Sequence, residues 1–239
     1  MVRNNPDSLA AFVFNQIPEL THILKRIAFT AAVIHQQCWA EANAGNLSIR
    51  IGKIIKPHLQ KEGFNREYEE WYLVSRSGSR FRDIAINPVS GLMLIAVDKQ
   101  DSYFPAGAVP TSEWICHKAI HNSDVNADNP CLLHAHPTDI IALSQTSLYS
   151  DAEELNTYLA KILPELPLYL PRGIAISEYQ TPGSQALATE SCNQFSDKQA
   201  LIWEKHGLLC RGDSIDQALD YLEIVNKAAK LCLRLGVRA

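Results

Sequence analysis

Residues 71–98 read WYLVSRSGSRFRDIAINPVSGLMLIAVD, and this stretch decides the fold class. WYLVS (71–75) and LMLIAVD (92–98) are apolar runs of strand length, and SGSRFRD after the first supplies turn chemistry, so an antiparallel meander is expected. On the N-terminal side, EANAGNLSIRI (41–51) passes from small turn residues into alternating Leu47, Ile49 and Ile51, the pattern of a half-buried strand behind a loop. Residues 53–70 between them are polar and charged. Further out, PELTHILKRIAFTAAVIHQQCW (18–39) spaces Leu20, Ile23, Leu24 and Ile27 as an amphipathic helix does.

On the C-terminal side, Pro110, Thr111 and Ser112 introduce the helical pattern EWICHKAIHNSD, which puts Glu113 at a helix start. CLLHAH (131–136) is a short strand ended by Pro137, and DIIALSQ and DAEELNTYLAKIL follow as helices. A weak strand near 173–177, a helix near 185–193, a strand ALIWEK reaching His206 and a final helix from about Ser214 complete the chain. With no internal repeat and no linker, the expectation is a single α/β domain over residues 1–239, its antiparallel or mixed sheet covered by helices.

A chain of 239 residues can bury roughly 70–75% of its unfolded surface, so it needs neither disulfide nor structural metal, and a metal here would be functional. The formal charge of −4, without a dense Lys/Arg run, argues against a nucleic-acid partner. Cysteines 38, 116, 131, 192, 210 and 232 lack CxxC spacing and read as small core hydrophobes of a reducing compartment. The N-terminus carries no small-residue cleavage site, and no apolar run reaches the roughly 20 residues that span a bilayer. A cytoplasmic protein without a membrane partner is expected.

In a strand, residues i and i+2 share a face with Cα atoms roughly 6.6 Å apart, so His134 and His136 can aim two imidazoles at one ion. His206, just before Gly207, also sits at a strand end, and three imidazoles are a ligand set that leaves zinc an open position for substrate oxygen. Two structurally satisfied histidines would give the same HxH. A competing pair, His117 and His121 in HKAIH, shares a helix face, but no glutamate follows His117 as in HExxH, and a solvated face accounts for it better. His22, His35 and His58 have no partner pattern and read as surface or core-edge residues.

ANAGNLSIR, SGSRFRD, PTSE, HAHPTDIIAL and EKHG, in that order, resemble the class II aldolase/adducin family from about Trp39 to the final helix. The resemblance implies a central, mostly antiparallel sheet sandwiched between helix layers, and a fourfold homotetramer with active sites near subunit interfaces. It places His134, His136 and His206 on the family's zinc ligands, one Zn2+ or other divalent ion per chain, and Glu113 on its acidic catalytic residue. Asn43, Gly45 and Asn46 fall on the loop that holds a phosphorylated sugar, Ser77, Gly78 and Ser112 on other parts of that site, and Glu165 near a second catalytic acid. Ala44, where glycine is usual, Arg76, where a small residue is usual, and HAHPTD after the histidines depart from the pattern.

The implied reaction is cleavage of a ketose 1-phosphate, L-rhamnulose 1-phosphate first, to dihydroxyacetone phosphate and an aldehyde. Breaking a carbon–carbon bond beside a carbonyl leaves negative charge that a divalent Lewis acid stabilises, and a neighbouring carboxylate moves the proton. Backbone N–H, asparagine and serine donors can hold a phosphate without lysines. A pentulose-phosphate epimerase or a methylthioribulose-phosphate dehydratase would share these residues. A non-catalytic adducin-like module would typically lose the metal set.

Overall fold

The strands alternate between two buried faces. A computed structural model describes residues 6–64, 68–99, 101–105, 107–123 and 131–236. Eight strands, β1 (Asn46–Arg50), β2 (Glu70–Ser75), β3 (Leu92–Asp98), β4 (Asp101–Tyr103), β5 (Cys131–Ala135), β6 (Ala175–Ser177), β7 (Ala200–Trp203) and β8 (Gly207–Gly212), form one sheet in the order β4-β3-β2-β1-β5-β8-β7-β6. Every pairing is antiparallel except β6 with β7. The helices are α1 (Pro6–Gln16), α2 (Pro18–Gln36), α3 (Gly52–Lys61), α4 (Phe81–Ile86), α5 (Pro88–Gly91), α6 (Trp114–Ser123), α7 (Thr138–Leu143), α8 (Ala152–Ile162), α9 (Leu166–Tyr169), α10 (Gln185–Phe195) and α11 (Ile215–Arg234).

One face of the sheet, with Leu47, Ile49, Leu73, Leu133, Ile202 and Leu208, packs on Leu20 and Ile27 of α2, Ile140 of α7, Leu155 of α8 and Val225 of α11. The other face packs Leu132, Leu201, Trp203 and Leu209 on Cys116 and Ile120 of α6 and Leu187 and Phe195 of α10, and groups Tyr72, Val74, Met93 and Ile95 with Trp114. The mostly antiparallel sheet between helix layers is therefore the observed architecture. Capping fixes several helix starts: Asp151 accepts from Glu153 N and Glu154 N before α8, and Ser214 from Gln217 N before α11. No described helix is long and apolar enough to cross a membrane.

Several elements differ from the sequence expectation. Helix α3 occupies the polar stretch after Ile51, burying Ile55 and Leu59 four residues apart, and α4 and α5 fill the connection between β2 and β3 beyond the turn at Ser77. Strand β8 was hidden because GLLCRG directly follows the tight turn at His206. Four of the cysteines are buried, but Cys38 is exposed and Cys192 intermediate, and all six are free.

Strand β1 is not half-buried. Lying between β2 and β5 under helices on both sides, it buries Ser48 as completely as Leu47. Ser48 Oγ lies 2.8 Å from His117 Nδ1 and 2.8 Å from His121 Nε2, so one hydroxyl stitches α6 to β1. A solvated face for His117 and His121 is thus overturned: both are buried, because the centre of the sheet supplies a polar partner that makes their burial affordable. Among the described residues the group able to hold a metal ion is His134, His136 and His206, and this pair is not part of it.

Burial pushes His117 down to about 4 despite the nearby Glu113 carboxylate, and burial together with Arg50, His117 and Arg211 pushes His121 well down. With a folded value below the ordinary histidine value of about 6.5, the unfolded chain takes up the proton first as pH falls. Stability is therefore complete above about pH 6.5 and is lost on the way to pH 4, by on the order of 3 kcal/mol for His117. Urea unfolding between pH 7 and 4.5 should show a shallower loss for His117→Asn than for the parent chain; equal slopes would contradict a buried, neutral His117.

Candidate metal and proton-transfer site

The register of β1 against β5 places Asn46 opposite His134, so the two side chains stand together on one face of the sheet. The preceding loop must lie flat on β5: Gly45 has φ +73°, and an added Cβ would stand 2.8 Å from both the His134 carbonyl oxygen and Phe81 Cε2. His206 lies in the connection between β7 and β8, where Lys205 adopts φ +57° and donates its N–H to Ser144 Oγ at 2.8 Å. Gly207 completes that corner, since a Cβ there would overlap the Ala135 carbonyl oxygen and approach the His134 and His136 rings to 3.1 Å. Glu113 directly precedes α6, held because Thr111 N–H bonds the Ser75 carbonyl at 2.9 Å and so ties PTSE to the end of β2.

These segments converge on one buried cluster. His134, His136 and His206 each offer a ligand atom, all within 4.8 Å of one another. Glu113 Oε1 is 3.3 Å from His206 Nε2, and Glu113 Oε2 is 3.6 Å from His134 Nε2 and accepts from Asn46 Nδ2 at 2.7 Å. Burial alone would raise the Glu113 carboxyl. The neighbouring His134, the hydrogen bonds from His206 and Asn46, and the closeness of His206 outweigh it and hold the group well below the usual carboxylate range.

Partner chemistry fixes the tautomers of two histidines. His134 Nδ1 is 3.0 Å from the Leu208 carbonyl and His136 Nδ1 is 3.1 Å from a Glu41 carboxylate oxygen, and both partners only accept, so each Nδ1 carries the proton. Burial pushes both rings down, His134 well down, which keeps them neutral and leaves each Nε2 as a bare lone pair. Those two nitrogens face each other at 2.9 Å, beside an ionised carboxylate. Two lone pairs that face each other with no proton between them, beside a carboxylate, are what a bound cation resolves, so this donor set fits a divalent metal.

The other expected residues lie around this cluster. Asn46 differs from the loop residues: it is buried, its amide nitrogen is committed to Glu113, and its Oδ1 has no partner. Asn43 is exposed within the turn that closes through Ala44 N–H to the Glu41 carbonyl, 2.8 Å. The left-handed residues of that loop are Ala42 and Gly45, so Ala44 incurs no strain in the place of the usual glycine. Ser77 and Gly78 are exposed in the turn after β2, which is joined to the segment leading into PTSE by Ser77 N–H to the Val109 carbonyl, 2.8 Å, and by the Arg76–Pro110 bridge. Ser112 is exposed beside Glu113, and Arg76 is tethered by Nε to the Leu92 carbonyl at 2.7 Å. Glu165 does not join them: it is an exposed residue before α9, and no hydrogen bond or ion pair among the described residues connects it to Glu113 or to the histidines. Two participants escaped the sequence reading. Glu41 reaches His136 from 95 positions away, which no local pattern announces, and Trp203, which stacks on His206, looked like one more apolar residue of ALIWEK.

Comparison with known proteins gives this geometry a context. The sequence profile described as "Class II Aldolase and Adducin N-terminal domain" matches residues 25–233. A rhamnulose-1-phosphate aldolase of Bacteroides thetaiotaomicron is 26% identical over 229 residues, covering 89% of this chain and 85% of that one. A sugar-phosphate aldolase from Thermotoga maritima superimposes with a TM-score of 0.76 at 26% identity, over 92% of this chain and 99% of that one. An L-fuculose-1-phosphate aldolase from Thermus thermophilus, 17% identical with a TM-score of 0.61 over 90% and 94% of the two chains, shares the fold. With the profile spanning the sheet, the histidine cluster and Glu113, the chain belongs to the class II aldolase/adducin family.

Proposed function

We propose that this chain is a zinc-dependent aldolase that cleaves a ketose 1-phosphate, L-rhamnulose 1-phosphate first, to dihydroxyacetone phosphate and an aldehyde, L-lactaldehyde in that case. The observation that carries this is the buried Glu113 carboxylate set beside the facing Nε2 lone pairs of His134 and His136, which have no proton between them. The similarity to a rhamnulose-1-phosphate aldolase supports the choice of first substrate. The family resemblance adds a homotetramer, a cytoplasmic setting and one domain across residues 1–239.

His134, His136 and His206 would hold the ion, which when bound supplies Lewis-acid stabilisation of the negative charge developing on the substrate oxygens. Glu113 is the proton carrier. Ionised and oriented by Asn46 Nδ2, it accepts a proton from substrate as the carbon–carbon bond breaks and returns one to the dihydroxyacetone phosphate carbon. Asn43, Gly45, Ser77, Gly78 and Ser112 bind the phosphate through neutral donors on exposed turns, and Asn46 serves Glu113 instead.

A panel of ketose 1-phosphates, each paired with its unphosphorylated ketose, tests the reaction by assay for dihydroxyacetone phosphate. Release from the phosphorylated forms is expected; an isomer or a dehydrated product alone would instead identify an epimerase or a dehydratase. Glu113→Gln keeps size and polarity without basicity, so turnover should drop by roughly 100-fold or more with metal content and fold intact. Near-normal turnover in that metal-loaded variant removes Glu113 from the mechanism. Elemental analysis should find one zinc-class ion per chain, lost in His134→Ala, His136→Ala and His206→Ala but retained in His121→Ala; the reverse pattern would move the metal to α6.

A further inference from the structure

Trp203 ends β7 almost wholly buried, and its indole lies against two of the three candidate ligands. Its ring centroid is 4.5 Å from that of His134 at an interplanar angle of 51°, and it stacks on His206 at 5.1 Å and 21°. The indole is itself anchored: Nε1–H donates to Ser191 Oγ at 3.0 Å, and Ser191 donates onward to the Leu187 carbonyl at 2.6 Å, which leaves its oxygen as an acceptor. Cys116 Sγ, on α6, donates to the same oxygen at 3.4 Å. One hydroxyl of α10 thus joins the wall behind the histidines to the helix that begins right after Glu113.

The two histidines are not restrained alike. Proteins ordinarily orient a metal-binding imidazole by a hydrogen bond to its other ring nitrogen. His134 has one to Leu208 and His136 one to Glu41, whereas His206 Nδ1 is buried without a partner. His206 is set by its place in the turn, by the approach of its Nε2 to Glu113 Oε1 at 3.3 Å and by the indole it stacks on. We propose that Trp203 is a positioning residue of the metal site, its indole face fixing His206, and with it the angle to His134, while Ser191 fixes the indole. Ligation leaves an imidazole partly positive, and the negative face of an indole favours that charge, so the stack both orients and stabilises the loaded ring.

The inference rests on the metal reading, and the experiment separates the two. Zinc affinity is measured by competition with a chromophoric chelator, and ligand arrangement by the visible absorption of cobalt(II) bound in place of zinc, for the parent chain, Trp203→Leu, Trp203→Phe and Ser191→Ala. Trp203→Leu should bind zinc 10–100-fold more weakly with an altered cobalt band, Trp203→Phe should recover most of the affinity, and Ser191→Ala should fall between. A purely structural role would lower the melting temperature without moving the affinity or band of the protein that remains folded. Folded Trp203→Leu with parental affinity and cobalt spectrum overturns the inference. If that variant does not fold, parental values in Ser191→Ala overturn it, and an altered band there sustains it. A parent chain that takes up neither ion removes the metal reading and this inference with it, whereas a binding parent with unmoved variants removes this inference alone.

Discussion

A carboxylate buried within reach of two imidazoles is the constraint around which this structure is arranged. Glu113 is ionised in a place that excludes water, and an uncompensated buried charge is destabilising by several kcal/mol. Compensation comes from four separate segments: Asn46 from β1, His134 from β5, His206 from the β7–β8 corner and the start of α6 itself. Those segments meet only because β1 lies next to β5 and β5 next to β8 at the middle of the sheet. Register then does the fine placement, since a slip of one residue between β1 and β5 would turn Asn46 to the opposite face from His134.

The same sheet centre explains why polar residues are tolerated there. Ser48, two positions on from Asn46, faces the same side and serves the two helical histidines with one hydroxyl. Because His117 follows Glu113 by one helical turn, a bond that holds His117 to β1 also holds the first turn of α6 to the strand that carries Asn46. The Asn46–Glu113 contact is thereby braced from behind.

Much of this was legible in the sequence, and what was not has physical causes. Apolar runs such as LMLIAVD and CLLHAH announced strands because both faces are covered, and HxH at strand spacing announced two imidazoles that converge. Their third partner was readable from its place before Gly207, where a Cβ would strike β5. Helix α3 was masked because most of it faces solvent and only Ile55 and Leu59 mark its inner side. The burial of His117 and His121 could not be read from HKAIH, since it depends on Ser48, 69 residues before His117, on a strand whose alternation looked half-exposed. Glu165 is a different case: a sequence match alone placed it, and within the chain it is an exposed residue before α9 with no described contact to Glu113 or the histidines.

Backbone conformation shows how the corners around the histidine cluster are held. Ala42, in the turn that follows Glu41, has φ +48°, and Lys205, immediately before His206, has φ +57°. A left-handed backbone is unfavourable by roughly 1–2 kcal/mol for a residue with a Cβ, so each persists only where its surroundings over-determine it. At Ala42 the turn closes through Ala44 N–H to the Glu41 carbonyl, and Glu41 is spent on His136; at Lys205 the N–H is bound by Ser144 of the α7 end. Ala42 and Lys205 thus stand next to the two groups, Glu41 and His206, that the regular β-ladder does not itself position. Where β5 supplies geometry directly, at His134, no such strain is present. Backbone of this kind also occurs away from the cluster, at Cys38, Lys99 and Ser196, but at Ala42 and Lys205 it lies in the corners that bring His206, and the carboxylate partner of His136, to the places the strands alone would miss.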